Sequence, residues 1–284
     1  MTRDWSCYWR SPDRPLEAMH AHFEQHVYHR HSHDTYSFGV TEIGAQAFTC
    51  RGSAHTSATG MVMAFNPDDP HDGHAADQFG FTYRIIHIGP EVVADALEDT
   101  TGHRTGLPLF TDPVLDDPVL AHSLHAFHLA LLGGASALRR DELLRATVAA
   151  MVRRGSTTSR ASGGTLRTGG APRTGAQLIA ERVRRRLDDS PLDDLTATDL
   201  AAAAGCSRFM VYRAFQAAYG LAPSDYQRQL RLRTARRLIA RGLPLGEVAA
   251  QSGFADQSHL TRWFTRTYGV TPGTYRRAGR QPTG

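Results

Sequence analysis

The strongest constraint in this sequence is a segment written twice. Phe215, Tyr219, Gly220, Pro223 and Tyr226 return as Phe264, Tyr268, Gly269, Pro272 and Tyr275 at a constant offset of 49 residues, while Gly205 returns as Gly253 at an offset of 48. The second copy therefore carries one extra residue in its turn. Aromatic, glycine and proline positions kept in register over such a length mark a structural repeat. The chain between Thr196 and Arg277 must place one supersecondary unit twice.

Each copy reads as a helix, a tight glycine turn and a second helix. Thr196 and Asp199 form a capping pair, Leu200, Ala203 and Ala204 give the first helix an apolar face, and Gly205 supplies a turn at positive φ. Ser207 caps the second helix. On it Val211 and Phe215, four apart, point inward, leaving Arg208, Phe209, Tyr212, Arg213 and Gln216 on other faces. In the second copy Val248 and Ala249 precede the turn at Gly253, Leu260 and Phe264 anchor the next helix, and Gln257, Ser258, Thr261 and Arg262 point out. A helix-turn-helix lays its second helix in the DNA major groove, where Arg takes guanine and Gln takes adenine bidentately. The same unit is also an ordinary packing motif in helical proteins, so the duplication carries the weight. Between the copies, Pro223 to Arg241 reads as one helix with Tyr226, Leu230, Thr234, Ala235 and Leu238 towards one side, ended by Gly242 and Pro244. At a rise of about 1.5 Å per residue it spans roughly 28 Å, near the approximately 34 Å turn of DNA.

On these residues the segment resembles the DNA-binding domain of AraC/XylS family transcriptional regulators. Gly253-Phe254, Ser258, Leu260, Arg262, Phe264, Gly269, Thr271-Pro272 and Tyr275-Arg276 carry the most specific part of the likeness. The resemblance implies base contacts from Phe209, Tyr212 and Arg213, with Arg208 beside them, in the first copy and from Gln257, Ser258, Thr261 and Arg262 in the second. Phe209 and Tyr212 depart from the pattern, being aromatic where polar or indole side chains are usual.

Charge divides the 284 residues in the same sense. Residues 1–152 hold 10 arginines against 19 acids, residues 153–175 hold 5 against none, and residues 176–284 hold 17 against 9. A basic end suits phosphate contact and an acidic end does not. The three cysteines form no CxxC pair or disulfide framework, no signal peptide opens the chain, and no apolar run is long enough to span a bilayer. A cytoplasmic protein with no membrane association is expected.

Residues 19–89 read as short strands, clearest at 36–43, 46–51, 60–65 and 79–88, broken by Gly44, Gly52, Asn66-Pro67-Asp68 and Asp69-Pro70. The run His31, His33, Tyr36, Gly39, Gly44, Gly60, Asn66-Pro67 and His71 resembles the cupin-like sensor domain that many AraC-type regulators carry. An HxH pair on a strand puts both imidazoles on one face, and His71 from a neighbouring strand would complete three nitrogen ligands. Glu42 lies further along than the acidic ligand of a metal cupin. Three readings stay open for the histidines: a metal site, an effector pocket of His31, His33, Tyr36 and His71, or structural side chains.

Past Gly89 the period lengthens. Asp117-Pro118 starts a helix striped by Leu120, Leu124, Phe127 and Leu131, Gly133-Gly134 closes it, and Leu144, Val148 and Met151 mark a second. In the resembling family such a pair mediates dimerisation; covering one side of the barrel is the alternative. Residues 153–175, rich in Gly, Ser, Thr and Arg, read as a flexible tether. The expected architecture is a two-domain α+β protein. Residues 1–152 form a cupin-like β-barrel with a helix pair, and residues 176–278 an all-α domain with two helix-turn-helix motifs. The expected function is a transcriptional regulator, and by resemblance an activator. It would bind promoter DNA and a small-molecule effector, meet RNA polymerase and form a homodimer, without a cofactor. The rival is a metal-dependent cupin enzyme using His31, His33 and His71. An architectural DNA binder without effector is a third reading.

Overall fold

The computed structural model describes residues 4–157 and 174–278. Their contacts divide into two units, one of residues 4–27, 32–157 and 277–278 and the other of residues 28–31 and 174–276. Most of the segment expected as a tether lies outside the described residues, although residues 153–155 still belong to a helix and residue 175 opens the next.

The first unit is strand-rich. Its strands are β1 (Trp5–Arg10), β2 (Leu16–Phe23), β4 (Tyr36–Cys50), β5 (Ser53–Ala58), β6 (Val62–Phe65), β7 (His71–Ala75), β8 (Phe81–Ile88) and β9 (Val114–Leu115), while β3 (Tyr28–His31), between β2 and β4 in the chain, falls with the second unit. The main sheet runs β1-β2-β8-β4-β6-β9. β4 organises it, pairing antiparallel with β8 and β6 through its first half and with β5 and β7 through its second. The two strands expected over 36–43 and 46–51 are thus one bent strand. The bend has a cause: the register with β8 shifts between Thr41 and Ile43, and Gly44 sits at φ 74°, where a Cβ would stand 2.3 Å from the carbonyl oxygen of Gly80. Only glycine permits that approach.

One face of this sheet carries the core. Phe38, Val40, Val62, Ala64, Ile86 and Ile88 pack with α1 (Pro90–Thr101), α2 (Pro118–Leu132) and α3 (Ala137–Gly155). α2 begins as expected, with Asp117 accepting hydrogen bonds from the Val119 and Leu120 amides. Its stripe Leu120, Leu124, Phe127 and Leu131 is at most 2 % exposed, as are Val148 and Met151 of α3. The helix pair therefore covers the sheet, and the stripe expected for dimerisation is spent on the unit's own core.

The helices of the second unit are α4 (Gly175–Asp189), α5 (Ala197–Ala204), α6 (Arg208–Tyr219), α7 (Pro223–Ala240), α8 (Leu245–Gln251), α9 (Gln257–Tyr268) and α10 (Pro272–Ala278). Val183 and Leu187 of α4 join Leu200, Ala204, Val211, Phe215 and Tyr226 in one cluster. α7 is the single helix expected, but its buried positions are Tyr226, Gln229, Leu232, Ala235 and Ile239, while Leu230, Thr234 and Leu238 are half-buried. A helix that packs against α4 and α6 as well as α8 and α9 buries more than one stripe. Among the described residues no helix is long and apolar enough to cross a membrane.

Candidate nucleic-acid interface

The two copies are built by the same local chemistry. Thr196 and Asp199 form a reciprocal capping box at the start of α5, and the hydrogen bonds from Thr196 hold the Asp199 carboxyl below its usual range. Gly205 ends α5 at φ 68°, and Ser207 accepts from the Met210 amide to open α6. In the second copy Gly253 turns at φ 76° and Asp256 accepts from the His259 amide to open α9. The cap equivalent to Ser207 is thus Asp256, 49 residues on, rather than Ser258. Gly220 and Gly269 close the two second helices in left-handed conformation.

The repeated aromatics pack in the same way. Phe215 lies 4.7 Å from the Tyr219 ring and 5.5 Å from that of Tyr226. Phe264 stands at 4.7 Å from Tyr268 and 5.5 Å from Tyr275. Burial and a hydrogen bond to Asp188 push the Tyr226 hydroxyl up to about 12, so it stays protonated and donates at 2.8 Å. Val211 with Phe215, and Leu260 with Phe264, are buried. Their burial fixes which side of α6 and α9 faces outward.

Outward on α6 stand Arg208, Phe209, Met210, Tyr212 and Arg213, and on α9 Gln257, Ser258 and Arg262, with Thr261 half-buried. All eight residues expected to meet DNA lie on these two helices. At the 49-residue offset they pair as Arg208 with Gln257, Phe209 with Ser258, Tyr212 with Thr261 and Arg213 with Arg262. The Arg213 guanidinium lies over the Phe209 ring, 5.5 Å from its centroid. Trp263 is half-buried beneath the guanidinium of Arg228 at 3.7 Å, which accounts for a large ring at this position of α9.

Sequence reasoning missed Arg231. From α7 it donates through Nη1 to the carbonyl of Gly253 (3.1 Å), through Nε to Pro191 (3.1 Å) and through Nη2 to Asp193 (2.9 Å). One side chain thus ties the turn of the second copy to the segment leading into the first. An arginine in a helix already rich in arginine gives no periodic signal that would single it out.

In the strand-rich unit His33 and His71 are buried with their ring centroids 5.4 Å apart, and His31, which falls with the second unit, is buried as well. Nδ1 of His31 bonds the His29 carbonyl (2.7 Å) and Nδ1 of His71 the Asp69 carbonyl (2.8 Å). A carbonyl only accepts, so these Nδ1 atoms carry protons. His33 and His71 can meet a polar ligand. His33 also lies 4.6 Å from the ring of His87, whose Nδ1 meets the Ser37 hydroxyl at 2.8 Å. Tyr36 does not join them: it is 2 % exposed in the core on the other face of β4, with its hydroxyl donating to the Pro108 carbonyl. Strand alternation separates it from Ser37. Glu42 is engaged elsewhere, by His20 at 2.8 Å, Arg84 at 2.6 Å and His125 at 3.2 Å. Burial pushes its carboxyl up, but Arg84 and His20 outweigh that and hold it below the usual range.

Comparison with known proteins agrees with both units. Residues 15–148 match the AraC-like ligand binding domain and residues 200–278 a helix-turn-helix domain. The chain is 28 % identical over 230 residues to the HTH-type transcriptional regulator YbfI of Bacillus subtilis, covering 81 % of this chain and 80 % of YbfI. It is 40 % identical over 98 residues to the transcriptional activator NphR of a Rhodococcus species, covering 34 % of this chain and 29 % of NphR. Among solved structures, a single-substitution form of apo ToxT from Vibrio cholerae aligns over 99 % of both chains with a TM-score of 0.54 at 12 % identity. ToxT bound to an unsaturated fatty acid aligns over 97 % of this chain and 95 % of its own with a TM-score of 0.52 at 11 % identity. At such identities these two likenesses bear on the fold alone.

Proposed function

We propose that the chain is a transcriptional regulator of the AraC type, with a ligand-binding domain and a helix-turn-helix DNA-binding domain, and that α6 and α9 read two segments of one promoter. Arg208, Phe209, Tyr212, Arg213, Gln257, Ser258, Thr261 and Arg262 make the contacts. The observation that carries this reading is the equivalence of Arg213 and Arg262, exposed at the same position of two helices capped at the same place. An exposed arginine on the outward side of a recognition helix suits guanine or phosphate.

The effector is a small molecule whose polar group meets His33 and His71; Tyr36 supports the site from the core side. In the fatty-acid-bound neighbour ToxT a small molecule is likewise present, which supports a ligand here without fixing its identity. An effector shifts DNA affinity only by binding one state of the protein better than another. The protein acts in the cytoplasm as an activator that meets RNA polymerase. A homodimer would use the outer side of the helix pair, where Val119 and Leu129 are exposed.

The test is binding of the full chain to fragments of its own genomic neighbourhood at stated salt with excess competitor duplex. One fragment is retained on this reading. Equal competition by random DNA at every salt concentration contradicts it.

A further inference from the structure

The two recognition helices share a scaffold but not a surface. At the positions where α9 carries Ser258 and Thr261, α6 carries Phe209 and Tyr212, which are 66 % and 49 % exposed, with Met210 next to them at 42 %. Large apolar side chains are left in water here although the inward positions of the same helix, Val211 and Phe215, are 2 % and 0 % exposed. Phe209 and Tyr212 are three apart and Phe209 and Arg213 four apart, so they form one stripe. That stripe begins at the second residue of α6, in the N-terminal part of a recognition helix that meets base edges.

A phenyl ring can neither donate to nor accept from a base edge in the plane of the pair. The apolar group on the floor of the major groove is the thymine C5 methyl. Arg208 and Arg213 flank the stripe with positive charge, which suits phosphate and guanine on either side of a methyl-bearing step, and the Arg213 guanidinium already rests over the Phe209 ring.

We infer that the first helix-turn-helix recognises its half of the operator by thymine methyl groups, through Phe209 and Tyr212, whereas the second recognises its half by hydrogen bonds from Gln257, Ser258, Thr261 and Arg262. The inference rests on the DNA-binding reading above and adds to it the chemical kind of sequence each copy takes. Thymine-containing steps belong under α6. Under α9 methyl groups carry little of the affinity.

The test separates the two layers. A bound duplex is selected from random sequence with the full chain, and the half-site under α6 is identified as the one whose sequence preference Arg213→Ala relaxes. Thymines are then replaced by uracil, one half-site at a time, which deletes only the methyl and leaves base pairing intact. Transfer of one methyl group from water corresponds to about a fourfold change in affinity. Each contacted thymine under α6 should therefore weaken binding about fourfold on replacement, and uracil under α9 should leave it unchanged. The double variant Phe209→Ser, Tyr212→Ser, which replaces both rings by small hydroxyl side chains at exposed positions, should bind thymine and uracil duplexes equally under α6. A selected operator bound with the same affinity whether thymine or uracil lies under α6 overturns the methyl reading and leaves the regulator reading standing. Failure to select any sequence sinks both.

Discussion

The first and second helix-turn-helix copies bury equivalent side chains, Val211 and Phe215 in one and Leu260 and Phe264 in the other, and surround them with aromatic contacts of matching distance. Their outer positions diverge, with Phe209 and Tyr212 on one helix and Ser258 and Thr261 on the other. Packing leaves the inner positions little freedom, because a core side chain must fill a given volume. The outer positions answer only to what they touch. Two copies of one scaffold can thus hold different recognition chemistry over equivalent buried side chains.

The largest effect should be symmetrical. Phe215→Ala and Phe264→Ala, both at 0 % exposure, should each cost about 3–5 kcal/mol of stability in urea denaturation. A much smaller loss in one copy would show that the copies do not share a core design. The turn glycines should part the copies instead. An added Cβ at Gly205 meets open space, whereas at Gly253 it stands 3.0 Å from Nε of Arg231. Gly205→Ala should cost about 1–2 kcal/mol for the left-handed backbone. Gly253→Ala should cost more, because Arg231 must give up its hold on the Gly253 carbonyl. Equal thermal shifts in the two variants would remove Arg231 from the account.

On the surface the loss is one of binding rather than of stability. Arg262→Ala should weaken specific binding by about 1–3 kcal/mol and relax preference in the half-site under α9 alone. Unaltered discrimination between sites in that variant would mean that the outward face has been assigned wrongly. Ser207→Ala and Asp256→Ala, which remove equivalent caps, should each cost about 1 kcal/mol, measured as a drop in melting temperature.

The helical unit was the more legible in sequence because its signals are local. Capping residues, glycines at positive φ and apolar positions three and four apart are all written within one copy, and the second copy repeats them. Thr196, Gly205, Ser207, Gly253 and the buried pairs all took the places expected of them. α7 was less legible. Its buried side depends on four partner helices, which no window of its own sequence contains.

The strand-rich unit was read in part. β6, β8 and both halves of β4 were expected, but the continuity of β4 depends on a glycine whose neighbour, Gly80, is distant in sequence. β2 was missed because nearly every residue in it is buried, which erases the alternation that marks a half-buried strand. β5, composed of Ser, Ala, His and Thr, has no apolar face to read. α1 did carry a signal, Pro90 at its first turn and Val92, Val93, Ala96 and Leu97 inward, within the change of period noted past Gly89. His33 and His71 stood out in sequence, and both are buried in the strand-rich unit. The place of Tyr36 in the core was hidden behind its nearness in sequence to His33.

The central claim is that both copies engage one DNA site. Hydroxyl-radical footprinting of the selected operator with the full chain, with Arg213→Ala and with Arg262→Ala tests it most directly. The account predicts two protected tracts about one helical turn, roughly 10 base pairs, apart on one face of the duplex, each weakened by the arginine variant of its own copy. A single tract that both variants weaken alike, or two tracts of which one ignores both arginines, would contradict it.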